Sequence, residues 1–278
     1  MLLGPDEVRV RYSRTAALGD DAVSAAFGLL SADEQTRYRG LAFDEDRTDF
    51  AVAHALLRRM LSDCCPISPR EWTFTVRPGG KPTLTDDLAA ATQLSFNLSH
   101  TRGLVACGVT RGPAEIGVDV DGIDRRIEPV VLARRYFSAT EVADLERCAE
   151  GNRQLRFIEI WTLKEAYIKA IGSGLAQPLD SFGFTFGGSS VFGFDPPSGV
   201  DPSTWRFALV TPTNRHRIAV AVSTIGSNER QISVCSDDAE YHECRSLAFH
   251  TGSRRPSVSD RFREHFRSRY HPSSEEHV

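Results

Sequence analysis

Three observations on the sequence predict a chain that mixes helices and strands. Apolar residues recur at helical spacing in two long stretches, 50–60 and 158–171. Short alternating runs at 8–12, 94–98 and 116–120 read as strands. Glycine and proline turns separate these elements, and Arg111-Gly112-Pro113 divides the chain into parts of similar length, 1–112 and 113–225.

Composition narrows the classes. A chain of 278 residues, 41% hydrophobic and 25% charged, has room for one large or two small globular domains. A net charge of −4 supplies no global basic field for nucleic acid, so any phosphate site must be local. No apolar run approaches about 18 residues and no charged-then-apolar leader opens the chain, so a cytoplasmic protein is expected. The six cysteines show no metal-binding spacing, and reduced thiols fit that compartment.

In the first half, the alternating run at 8–12 precedes a helix at 22–27, and Ser31-Ala32-Asp33-Glu34 is a capping box opening a helix that carries Arg37 and Arg39. Residues 46–60 form an amphipathic helix through Phe50, Ala53, Leu56, Leu57 and Met60, with Arg47 and His54 on it. His54 suits packing or surface exposure, and with Arg47 it suits a phosphate only if a cleft lies beside them. A strand at 72–76 leads into the turn Arg77-Pro78-Gly79-Gly80-Lys81-Pro82, either a plain hairpin turn or a rigid loop presenting Lys81. Strand 94–98 ends in the polar group Ser99-His100-Thr101, which suits either a ligand or a local turn bond.

In the second half, Ile116, Val118 and Val120 share one strand face, while Glu115, Asp119 and Asp121 share the other. Two aspartates side by side suit a metal or the wet face of an edge strand. Ser138-Ala139-Thr140-Glu141 is another capping box, and capping alone accounts for Glu141. Residues 158–171 read as a helix closed by a left-handed Gly172. Phe157, Trp161, Glu165 and Lys169 fall at four-residue spacing on one side of it. A carboxylate in an apolar row needs a cation or strong donors, or it is one half of a surface ion pair with Lys169. Four strands follow at 182–186, 191–194, 205–210 and 217–222. Residues 226–278 read as a polar, disordered tail with a short helix at about 261–269.

Asp119-x-Asp121, Phe137-Ser138-x-Thr140-Glu141 and Trp161-x-x-Lys164-Glu165-Ala166-x-x-Lys169-Ala170-x-Gly172-x-Gly174-Leu175 stand in a fixed order. With Gly80-Lys81-Pro82 and Phe96-Asn97-Leu98-Ser99-His100 upstream, the set resembles the Sfp-type 4′-phosphopantetheinyl transferases, in their Trp-Lys-Glu-Ala subgroup, from Ser31 to Val222.

The resemblance implies an α+β pseudo-dimer, two similar halves each packing a helix on an antiparallel sheet, with coenzyme A between them. The implied reaction is attack of a carrier-protein serine on the β-phosphate of coenzyme A, giving holo carrier protein and 3′,5′-ADP. It implies Mg²⁺ held by Asp119, Asp121 and Glu165, with Asp121 shorter than the glutamate of many relatives. Glu141 is the implied general base and Lys169 the implied phosphate cation. Coenzyme A contacts fall by resemblance to Lys81, Pro82, Ser99 and His100, with Arg37, Arg47, His54 and Lys164 beside the phosphates. The expected protein is a monomer acting on acyl, peptidyl or aryl carrier proteins, without nucleic acid or membrane. The alternative is a non-catalytic coenzyme A or carrier-protein binding module on the same fold.

Overall fold

The computed structural model describes residues 3–247 apart from 5, 17, 188–189, 225–229 and 239–243. In chain order the elements are β1 (Glu7–Arg14), α1 (Asp20–Phe27), α2 (Ala32–Gly40), α3 (Asp44–Cys64), β2 (Phe74–Val76), β3 (Pro82–Leu84), α4 (Asp86–Thr92), β4 (Leu94–Thr101) and β5 (Leu104–Arg111). They continue with β6 (Ile116–Gly122), α5 (Pro129–Tyr136), α6 (Ala139–Arg147), α7 (Glu150–Ile171), β7 (Gly183–Gly187), β8 (Ser190–Asp195), β9 (Trp205–Thr213), β10 (His216–Ser223), β11 (Gln231–Ser236) and β12 (Cys244–Leu247).

One topology occurs twice. A strand, a set of helices ending in a long one, and an antiparallel hairpin give the order β1-β5-β4 in the first half and β6-β10-β9 in the second. The sheets face each other through Val8, Val10, Val118, Val120, Val220 and Ile232. Gly108 permits that approach, since a Cβ there would stand 2.8 Å from the side chains of Ile116 and Val118. Helix α3 covers the far side of the first sheet with Phe50, Leu56, Leu57 and Met60, and α7 covers the second with Leu163, Ala166, Tyr167 and Ala170. The layers run helix, sheet, sheet, helix, each apolar face meeting another.

At the seam, side chains replace part of a backbone ladder. The N–H of Val118 donates to Asn97 Oδ1 at 2.7 Å and that of Val120 to Ser99 Oγ at 3.2 Å, so alternate polar residues of β4 satisfy alternate donors of β6. These bonds fix the level at which β6 presents Asp119 and Asp121.

The structure corrects several expectations. Residues 231–236 are a strand, not part of a polar tail: β11 lies parallel to β1, with Ile232 and Val234 buried. Its two apolar side chains face the core only through a partner at the other end of the chain, which a local reading does not see. Helices α4 and α5 were not anticipated. The reduced state expected of all cysteines fails at Cys235, which is disulfide-bonded. The helix expected near 261–269 lies outside the described residues. Among the described residues no helix is long and apolar enough to cross a membrane.

Candidate active site

Gly117 sets the site. A Cβ at this position would fall 1.9 Å from the carbonyl oxygen of Ala166 and 2.4 Å from the amide nitrogen of Ala170, so only glycine lets α7 lie flush on β6. That contact brings Glu165 and Lys169 to the level of Asp119 and Asp121. The aromatic part of the same helix row packs: Phe157 and Trp161 stack with centroids 5.9 Å apart, and Phe137 stacks on Phe157.

Lys169 Nζ donates to Asp119 Oδ1 at 2.6 Å and to Ser99 Oγ at 2.9 Å. The Ser99 hydroxyl donates to Asp119 Oδ1 at 3.1 Å, so its donor and both acceptor positions are used. Arg125 Nη1 donates to Asp121 Oδ2 at 2.6 Å, and the Gly122 N–H donates to Asp121 Oδ1 at 2.8 Å. Burial pushes the Asp119 carboxyl up from its ordinary range, Lys169 pulls it down, and Asp121 pushes it up again. Burial, then Asp119, raises the Glu165 carboxyl; Lys169 opposes this and Asp121 adds to it.

Asp119 and Glu165, each pushed up by burial and by neighbouring carboxylate charge, stand with Asp121 as hard oxygen donors, a set that fits a divalent cation. In the arrangement seen, no group of three His, Cys, Asp or Glu side chains among the described residues is gathered tightly enough to hold a metal ion. Asp119 and Asp121 instead point at Lys169 and Arg125.

Two cavities meet at this cluster. The smaller, of about 540 Å³, is lined by Gly80, Lys81, Pro82, Leu98, Lys169 and Leu179, among others. The larger, of about 940 Å³, runs past Asp49, His100, Asp119, Asp121 and Trp161. Glu165 borders both. Two hairpins touch along the lining of the larger cavity: His216 Nε2 lies 3.1 Å from the carbonyl oxygen of Arg102.

Residues 115–221 match the 4′-phosphopantetheinyl transferase superfamily, and residues 19–110 match the 4′-phosphopantetheinyl transferase N-terminal family. The chain belongs to the 4′-phosphopantetheinyl transferase superfamily. It is 34% identical over 148 residues to the 4′-phosphopantetheinyl transferase HetI of Nostoc, covering 53% of this chain and 62% of that one. To a 4′-phosphopantetheinyl transferase of Bacillus subtilis it is 29% identical, covering 66% and 77%. To Sfp of Bacillus subtilis strain 168 it is 30% identical, covering 55% and 65%. The chain thus spans just under two thirds of HetI and of Sfp. The holo-[acyl-carrier-protein] synthase of Thermotoga maritima superposes with a TM-score of 0.32 at 19% identity, over 45% of this chain and 70% of that one.

Within this transferase-family chain, the remaining expected site residues divide. His100 is exposed on the larger cavity; the protein crowding its ring pushes its pKa down, Asp49 pulls it up, and Lys169 and His54 push it down. Pro82 lines the smaller cavity, and so does Lys81, whose ammonium is already engaged. Lys81 Nζ donates to the carbonyls of Ala170 at 2.7 Å and Ile116 at 3.1 Å, clasping the end of α7 to the start of β6. Burial lowers its pKa, and Glu115 at 3.4 Å opposes that.

Arg37, Arg47 and His54 line neither cavity. Arg37 lies over the Phe50 ring, and Arg47 is tied to the carbonyls of Leu41 and Ala42 and to Asp44. His54 Nδ1 lies 2.8 Å from Glu34 Oε1, whose capping box also holds Arg58. Burial disfavours the Glu34 charge, but hydrogen bonds from His54 and the Ser31 N–H and the charges of His54 and Arg58 outweigh it and hold the pKa at about 2. Glu141 and Lys164 are sealed in an ion pair at 2.8 Å, with no exposure and no share in either cavity. The expectation that Glu141 is a general base therefore meets a carboxylate turned inward, and Lys164 does not face the cavities. Arg125 was not anticipated, because nothing in its loop separates it from a solvated arginine. The structural part of Asn97 was legible in the alternation of Ser95, Asn97 and Ser99 on one face of β4.

Proposed function

We propose that the chain transfers the 4′-phosphopantetheine group of coenzyme A to a serine of an apo acyl or peptidyl carrier protein, as an Sfp-type enzyme. The observation that carries this reading is the convergence of Asp119, Asp121, Glu165 and Lys169 where two cavities meet, one of them bordered by His100 and the other by Pro82. The similarity to HetI and Sfp, named as 4′-phosphopantetheinyl transferases, supports it.

In the reaction, the serine hydroxyl gives its proton to water as its oxygen bonds to the β-phosphorus of coenzyme A, the bond from that phosphorus to the bridging oxygen breaks, and 3′,5′-ADP leaves. Such a transfer needs positioning and cations around the developing charge more than covalent help. Mg²⁺ held by Asp119, Asp121 and Glu165 would supply Lewis acidity at the phosphate oxygens. Lys169 brings a second positive charge, held in place by Ser99 and Asp119. His100 is placed to donate to a phosphate, and an anion beside it favours its charged form. Pro82 shapes the wall of the smaller cavity. Lys81 serves by clasping α7 to β6.

The test is mass spectrometry of apo carrier proteins from fatty-acid, polyketide and peptide pathways after incubation with coenzyme A and Mg²⁺. A phosphopantetheine mass gain is expected with the natural chain and none with folded Asp119→Asn. Coenzyme A binding with no mass gain on any carrier would mark a non-catalytic module instead.

A further inference from the structure

Glu141 and Lys164 are buried charges that this reaction leaves unused, each 0% exposed. All three donor positions of Lys164 Nζ are filled, by the carbonyls of Leu179 at 2.7 Å and Phe182 at 2.6 Å and by Glu141 Oε2 at 2.8 Å. Glu141 Oε2 also accepts from the Ser138 N–H at 3.0 Å and the Ser138 hydroxyl at 2.8 Å, while Oε1 accepts from the Phe184 N–H at 2.9 Å. Gly183 lets the chain pass this close, since a Cβ there would stand 2.7 Å from Ser138 Oγ and 3.4 Å from Glu141 Cδ.

These bonds join three pieces: the start of α6, the middle of α7 and the stretch 179–184. Pro178, Leu179 and Asp180 form one wall of the smaller cavity. Lys164 immediately precedes Glu165 but departs from another side of α7, so the bond that grips the wall also fixes the helix rotation that presents Glu165 to both cavities.

We infer that Glu141 and Lys164 are positioning residues, a buried ion pair that holds the cavity wall at Leu179 and Asp180 and the rotation of α7, and that Glu141 takes no proton from the substrate. The inference rests on the transfer reading for its kinetic arm and on geometry alone for its structural arm. A fully buried carboxylate with every partner in place has no route to a serine hydroxyl in the cavities, whereas breaking a buried pair releases whatever it held.

The experiment uses the full chain with Glu141→Gln, Lys164→Met and the milder Ser138→Ala, which removes the hydroxyl that donates to Glu141 Oε2 and caps the Glu141 N–H and keeps both charges. Hydrogen exchange, coenzyme A binding, kcat, KM and the pH profile are measured for each. Faster exchange at the Phe184 amide and around 179–182, by about tenfold or more, is expected in all three. The KM for coenzyme A rises about tenfold, kcat stays within about fivefold, and the acid limb of the profile remains in Glu141→Gln. Removal of a general base would act oppositely, with kcat down about 100-fold or more at unchanged KM and exchange, and would overturn the inference. Unchanged exchange and coenzyme A binding in every variant would overturn it as well. If the natural chain modifies no carrier, the transfer reading falls, and exchange with coenzyme A binding still decides the role of the pair. Should the two charge variants not fold, Ser138→Ala decides alone.

Discussion

Ending the chain after residue 230 instead of after residue 238 removes β11 and little else that is described. Ile232 is 0% exposed and Val234 2%, both against Val8 and Val10 of β1. Burying an aliphatic side chain of this size is worth about 1.5–3 kcal/mol, so the two together contribute about 3–6 kcal/mol, before counting the apolar face of β1 that the deletion uncovers. Against a usual domain stability of about 5–15 kcal/mol, the loss threatens folding itself. The assay is urea unfolding of the two truncated chains in reductant, which removes the Cys235 disulfide from the comparison. The chain ending at 230 is expected to be less stable by that amount and to lose any transferase activity in parallel. Equal unfolding midpoints would refute the reasoning and restore residues from 226 onward as a dispensable tail.

Glu34 is held at a pKa of about 2, below its ordinary 4.5. A depressed carboxylate stabilises above its unfolded pKa and loses that contribution as pH falls through the folded one, so the loss falls between about pH 4.5 and 2 and amounts to about 3 kcal/mol. Glu34→Gln is expected to flatten the urea midpoint across that window, and an unchanged acid slope would count against the His54 and Arg58 contacts as its source. Gly117→Ala drives a methyl into the backbone of α7, and a destabilisation of about 3 kcal/mol or more is expected in thermal unfolding, with loss of transfer in whatever remains folded. A stable, active Gly117→Ala chain would disprove the flush contact.

Much of the fold was legible because its signals are local. Helical spacing marks α3 and α7, alternation marks β1, β4, β6 and β10, and the two capping boxes at Ser31 and Ser138 form as read. Gly172 closes α7 in the left-handed region at φ 68°. Strand alternation put Asp119 and Asp121 on one face and four-residue helical spacing put Glu165 and Lys169 on another, while the meeting of the two faces was implied by the family resemblance alone. Arg37, Arg47 and His54 were less legible, because a cation on a helix reads the same whether it meets a ligand or its own neighbours.

The sequence by itself determined which residues share a face, since side-chain direction follows from backbone period within a single element. Only the tertiary structure decided what each face meets. It turned Glu141 and Lys164 inward to one another, set the Lys81 ammonium on the end of α7, and drew residues 231–236 back beside the first strand. Those outcomes depend on contacts between segments far apart in the chain, where burial makes each charge find a partner and each apolar face a cover, and no local pattern carries that information.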